Sequence, residues 1–266
     1  MFDIVIKRSF EEFKENSKVS LSFAVLFIFV AFFLFFEQFF ISSGSVFLSI
    51  DTSILGIIGI IVGLVFLYAF SFFVSLAVYS IQRDIHRLSL DDYWNVLLKD
   101  ASLKIFFFYL FFSVICYFGL IVGLYFGLIL PIVVLLLIIS SLLMYVPQSI
   151  VFEEKSIYDA MIESVSFWRS NFVLSILILL TSSVLLFVII LFEFIIDILG
   201  FPGAIVSFAL LMICLVPFNE QMKSYAYILK CELIRAPEVH QARYHKPKED
   251  IVKSIRLREK NPKGKL

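Results

Sequence analysis

Apolar residues run through this chain in long blocks, separated by short segments that hold nearly all of its charge. A helix crosses roughly 30 Å of hydrocarbon in about 20 residues. On that measure the blocks predict six spans, at about 19–40, 53–79, 105–126, 129–147, 172–196 and 203–222. The third and fourth lie in one block, Ile105 to Tyr145, which at helical rise is about 60 Å long and so crosses twice. Their turn is expected near Gly127 to Pro131, because proline is accepted in the first turn of a helix. The fifth and sixth divide at Gly200–Phe201–Pro202–Gly203.

The polar segments carry a pattern of their own. Ile41 to Thr52 reads as a linker without basic residues, and Val146 to Asn171 as a short loop between spans. Within that loop, Ile157, Tyr158, Met161, Ile162, Val165 and Trp168 recur at helical spacing, and Ser156 followed by Asp159 fits a capping box. Ser89 to Ala101 repeats the arrangement with Leu90, Tyr93, Trp94, Leu97 and Leu98. The N-terminal segment has Phe2, Val5, Ile6, Phe10 and Phe13. Each precedes a pair of spans, which gives a weak threefold repeat. Such helices are expected in the headgroup plane, with Phe13, Trp94 and Trp168 as interfacial anchors. The expected fold is an all-α integral membrane protein: six transmembrane helices in three hairpins, with amphipathic interfacial helices on the cytoplasmic side.

Charge supplies the orientation. The 22 Lys and Arg residues fall as four, four, two and twelve into the N-terminal segment, two alternate loops and the stretch after Phe218. The other three loops have none. Basic residues collect in cytoplasmic loops, so this pattern places both termini in the cytoplasm of a cell membrane. Residues 1–235 are expected to form the six-span domain, and residues 236–266 a basic cytoplasmic tail that its composition predicts to be disordered. The tail is expected to rest on anionic lipid; a nucleic-acid partner is not expected, since no aromatic stacking platform accompanies the basic residues.

Composition agrees. The 266 residues are 61% hydrophobic, where a soluble domain is roughly 45–50% apolar. Phe occurs 33 times, as lipid-facing helices allow. The three Cys, Cys116, Cys214 and Cys231, fall in no basic-free loop, so no disulfide framework is expected. The opening charged stretch lacks the look of a cleavable signal peptide.

Candidate chemistry is sparse. Glu37, Glu193 and Asp197, with Asp51, are acids on the side without bases, and form a possible cation or proton site. Solvated helix ends are the plainer reading. Gly59 and Gly63, and Gly119, Gly123 and Gly127, stand at four-residue spacing, which favours close helix packing, within one chain or across a homodimer. Ser140, Ser141, Thr181, Ser182 and Ser183 sit mid-span. No His lies in a span, no nucleophile has a base and orienter, and no cofactor or metal motif is found.

Pro147, Glu153–Glu154–Lys155–Ser156, Ala160, Ser164 and Arg169–Ser170–Asn171 form a Pro, acidic, Ala, Ser, basic-x-Asn pattern ahead of a span. With the six-span layout, this resembles a broad group of uncharacterised prokaryotic membrane proteins. That group is similar to the membrane domain of some glycerophosphoryl diester phosphodiesterases. The resemblance implies a six-helix membrane domain and no established activity; the chain departs from those phosphodiesterases in having no room for the roughly 250 residues of a catalytic barrel. The expected role is therefore non-enzymatic: organising lipid or partner proteins through the cytoplasmic face. The alternatives are a small transporter or channel using the acids named above, and a membrane-embedded lipid-modifying enzyme.

Overall fold

The computed structural model of the protein describes residues 2–15, 17–35, 39–42, 45–48, 53–86 and 100–235. Six of its helical segments are long and apolar enough to cross a membrane. The protein is thus an all-α, multi-pass membrane protein. It forms two compact units, Met1–Tyr227 and Ile228–Leu266. The described part of the second is the end of one helix, and the expected tail lies outside the described residues.

Helix α1 spans Phe2–Glu15. The first span is composite: α2 (Ser17–Ser22), a tight 3₁₀ stretch (Phe23–Phe27) and α3 (Ile28–Phe35). It ends sooner than the apolar block suggested. Phe39–Ser42 and Ser45–Leu48 instead pair as antiparallel strands β1 and β2, with Phe39 opposite Leu48. Aromatic and β-branched residues suit strands, and hydropathy alone cannot distinguish such a run from the end of a helix. The linker is therefore in part a hairpin on the side without basic residues.

The second span, α4, runs Ile54–His86, past its expected end. Ser53 caps it by accepting the Gly56 N–H. The third, α5, is Ser102–Phe126. It ends at Gly127, whose φ of +66° is the left-handed cap that glycine supplies most readily. The fourth span is broken. Helix α6 (Ile129–Leu142) gives way to α7 (Val146–Glu153), where a loop was expected. Pro147 has no N–H to donate and its ring disfavours a continuous helix across the junction. Helix α8 (Ile157–Ser170) follows, capped as expected by Ser156, which accepts the Asp159 N–H at 3.2 Å. The fifth span is α9 (Phe172–Ile198). The sixth comprises α10 (Gly203–Leu210), a π-helical turn (Leu211–Leu215) and α11 (Val216–Arg235). The last helix runs past the expected end of the sixth span, near residue 222, to Arg235.

Phenylalanine does more than face lipid. Phe23, Phe33 and Phe208 are almost fully buried, in a core where the first, second and sixth spans meet. Phe33 stacks on Phe39 of β1 at 4.6 Å and meets Phe66 edge-on at 5.2 Å. A second core joins α4, α5, α7 and α8 through Val78, Ile105, Val146, Ile150 and Ala160.

The α5–α6 hairpin is tied to the bundle at only one end. Between Tyr109 and Leu142 its one buried residue is Gly123, and none of the 14 residues of α6 is buried. A Cβ on Gly119 would rest at ordinary distance on Leu136, while one on Gly123 would lie 3.2 Å from Ile132 and 3.3 Å from the Ile129 backbone. That glycine face is occupied by α6 of the same chain, and Gly127 serves the turn rather than packing. Gly59 is buried and Gly63 half-buried in α4.

The amphipathic segments are helical where they are described. In α8 the apolar face read from spacing is split: Ile157 and Met161 pack against the core, while Tyr158 is 72% exposed and Ile162 and Val165 are exposed too. Its inward stripe is Ala160, Ser164 and Phe167, small or aromatic residues that admit close approach. In α1, Val5, Ser9 and Glu12 face inward while Phe10 is exposed. Phe13 packs edge-on against Phe218, so it is fixed to the bundle. Trp168 meets Phe172 edge-on, with its indole N–H enclosed and without a partner among the described residues. Trp94 and its segment lie outside the described residues.

Candidate functional site

The break in the fourth span creates the site. Where α6 ends, the Val146 N–H turns to the Leu143 carbonyl at 3.2 Å. The Leu142 carbonyl then accepts the Ser164 hydroxyl at 2.8 Å, while the same oxygen of Ser164 takes the Tyr145 N–H at 3.1 Å. One serine thus satisfies an acceptor and a donor that the broken helix exposes, as a helix end requires. Tyr145 and Tyr227 flank Phe167, and the Tyr145 hydroxyl meets Ser175 at 3.1 Å.

This junction carries α7 inward. Gln148 and Ser149 are fully buried, and they belong to the same basic end as the polar run of α11: Asn219, Glu220, Gln221, Lys223 and Ser224. Lys223 Nζ pairs with Glu220 Oε1 at 2.6 Å, with side chains only 8% and 7% exposed. Gln148 Nε2 donates to the other Glu220 oxygen at 2.9 Å. Lys223 also donates to the Met144 carbonyl at 3.3 Å. Both carboxylate oxygens are engaged, which is what a buried ion pair requires to offset desolvation. Lys223 lies 20 residues beyond Gly203 in sequence, about 30 Å of helical rise, so the pair sits near the basic end of the hydrocarbon layer.

Beside the pair is a cleft of about 300 Å³ between α5, α6, α7, α9 and α11. Its polar lining is Tyr109, Ser140, Ser141, Asn219 and Lys223; Phe108, Phe112, Leu137, Ile178 and others supply apolar walls. Ser141 returns its hydroxyl to the Leu137 carbonyl, and Asn219 Oδ1 accepts the Ser182 hydroxyl at 2.7 Å. The Tyr109 and Ser140 hydroxyls and the Asn219 amide nitrogen make no hydrogen bond to a described residue. Nearby, both polar atoms of the Gln221 side chain, Gln148 Oε1, and the Ser149 and Ser224 hydroxyls are buried without a partner among the described residues. Buried polar groups normally have one, from protein or ordered water.

The elbow after α7 holds the outer edge of the basic end. Glu154 adopts φ +53°, and Lys155 bridges Glu153 at 2.6 Å and Glu163 at 2.9 Å. The Tyr227 hydroxyl donates to Glu153, and the Tyr225 hydroxyl to Glu12 of α1 at 2.7 Å. These bonds give the Pro, acidic, Ala, Ser pattern a structural task. Burial alone lowers the Lys155 pKa, but the hydrogen bonds and charges of Glu153 and Glu163 outweigh it and raise the value above 10.5. A raised lysine adds stability below its unfolded value and loses it as pH climbs through the folded one. Lys155→Met is therefore expected to lower stability by about 1 kcal/mol from neutral pH to near 10.5, with the deficit vanishing above the raised value. Unfolding midpoints of both proteins across that range check this.

Of the acids singled out by sequence, the described Glu193 and Asp197 do not line this cleft. Asp197 Oδ1 accepts the Gly203 N–H at 2.8 Å, capping α10 at the turn between the fifth and sixth spans. Glu193, one turn earlier, is buried at 9% exposure. Glu37 and Asp51 lie outside the described residues. Among the described residues, no group of His, Cys, Asp and Glu could hold a metal ion.

Sequence reasoning missed Gln148, Glu220 and Lys223 because Lys and Glu were assigned to water by type. The available signal was spacing: Glu220 and Lys223 stand three apart, on one helix face, directly after an apolar run. Fold and site together define a multi-pass helical membrane protein with a buried ion pair beside a cleft. No protein-family model, curated protein or solved structure matches the chain.

Proposed function

We propose that this is a non-enzymatic protein of the cell membrane, with both termini in the cytoplasm, that binds an amphiphilic molecule taken from the bilayer. The observation that carries this reading is the cleft, whose polar floor and apolar walls lie beside a hairpin with almost no other cover. Ligand pockets are commonly apolar with a few placed polar groups, and about 300 Å³ is their lower bound. A small head and its first carbons fit that space, and the chain beyond them extends along α6 into lipid. Ionisable residues within spans are functional candidates by default.

Transport is less well supported, because Asp197, one of the acids assigned to it, has a capping task at the opposite end. The outward apolar face of α8 and the basic tail suit contact with the cytoplasmic leaflet, which fits a lipid-organising role. Protein purified in mild detergent is expected to retain near-equimolar lipid, measured by mass spectrometry after extraction. Ser140→Phe fills the cleft and is expected to expel it. Retention unchanged in that variant, or no retained lipid in the parent, contradicts the proposal.

A further inference from the structure

If the cleft holds an amphiphile, as proposed above, its electrostatics restrict the head. The charged groups at its floor are Lys223 and, behind it, Glu220, matched one for one at 2.6 Å. An anionic head in this place meets a cation that is already neutralised, and lies close to the Glu220 carboxylate. Burying an uncompensated charge costs far more than burying a hydrogen-bonded neutral group.

What remains open in the cleft is neutral hydrogen-bonding capacity. Lysine has three N–H groups, and two of those on Lys223 go to Glu220 and Met144. The third is left for a ligand. The Asn219 amide nitrogen is a donor with its own carbonyl already held by Ser182. The Tyr109 and Ser140 hydroxyls can each donate or accept. Three or four such groups around an apolar cleft match ester carbonyls and a free hydroxyl.

We infer that the cleft selects an uncharged acylglycerol, of the diacylglycerol type, over anionic phospholipid. Its ester carbonyls take the Asn219 and Lys223 donors, and its hydroxyl meets Ser140 or Tyr109. The acyl chains leave along the exposed side of α6. The ion pair stays intact in this arrangement.

The test uses the full chain in lipid nanodiscs, with two photoreactive probes carrying the same acyl chain, one a diacylglycerol and one a phosphatidylglycerol. Cross-linked residues are mapped by mass spectrometry. The diacylglycerol is expected to label the cleft residues of α5, α6, α9 and α11 saturably, at least about tenfold more than the anionic probe. Ser140→Ala and Tyr109→Phe change little volume, and each is expected to weaken labelling about fivefold, the contribution of one hydrogen bond. Their unfolding midpoints show whether the fold is kept. Equal or stronger saturable labelling by phosphatidylglycerol overturns the head-group inference and leaves the amphiphile site standing. No saturable labelling by either probe removes the site itself.

Discussion

Lys223→Met is expected to destabilise the bundle by about 3–5 kcal/mol, the cost of leaving a buried charge without its partner. The substitution keeps the length and apolar stem of the side chain. What it removes is the cation 2.6 Å from Glu220, in a place where both side chains are less than a tenth exposed. Gln148 remains on the second oxygen, but a neutral amide cannot offset a full charge. Lys104 and Asp100 provide the contrast. They form an ion pair at 3.3 Å with side chains 28% and 73% exposed, and breaking it is expected to cost at most about 1 kcal/mol. Adding Glu220→Gln to Lys223→Met restores neutrality and is expected to recover most of the loss. Thermal unfolding in detergent separates the three variants. A Lys223→Met protein as stable as the parent, or a double variant no better than the single, contradicts a buried pair.

Gly203→Ala is expected to lower stability by about 3 kcal/mol, through overpacking and a lost helix cap together. The added Cβ would press into the Glu193 backbone carbonyl and lie 2.7 Å from Asp197 Oδ1. A backbone oxygen cannot rotate aside, so α9 and α10 must part and the 2.8 Å bond from the Gly203 N–H to Asp197 must stretch. Gly200 is the control in the same turn. It has φ +81° and open space around it, so Gly200→Ala pays only for left-handed backbone, about 1–2 kcal/mol. Equal losses in the two variants would remove the steric account of this turn.

These two sites show what was readable from sequence and what was not. The spans were legible because length and hydropathy report directly on the bilayer, and the Gly127 turn because two crossings must share one block. The Ser156 cap was legible because a capping box is local. Hydropathy did not reveal that Phe39 belongs to a strand, since strand and helix ends look alike in a short apolar run. It did not reveal that α8 presents Ala160 and Ser164 inward, because the close-packing face is chosen by shape and part of the apolar face, Tyr158, Ile162 and Val165, is left outside. Nor did it place Lys223, because charge counting treats every lysine as a marker of water. Inside a bundle, a lysine with a carboxylate three residues earlier is a different chemical object. Asp197 was visible as an acid near a turn, but its capping role depends on a glycine six residues later.

The central claim is that the polar cleft at the basic end holds an amphiphile with its head near Asn219 and Lys223. The most direct measurement is an electron cryo-microscopy map of the full chain in lipid nanodiscs, with a rigid fiducial attached. Density with a compact head against Asn219 and Lys223, and an acyl tail running along α6, is the expected result. A cleft closed by its own side chains, or one holding only water, contradicts the account.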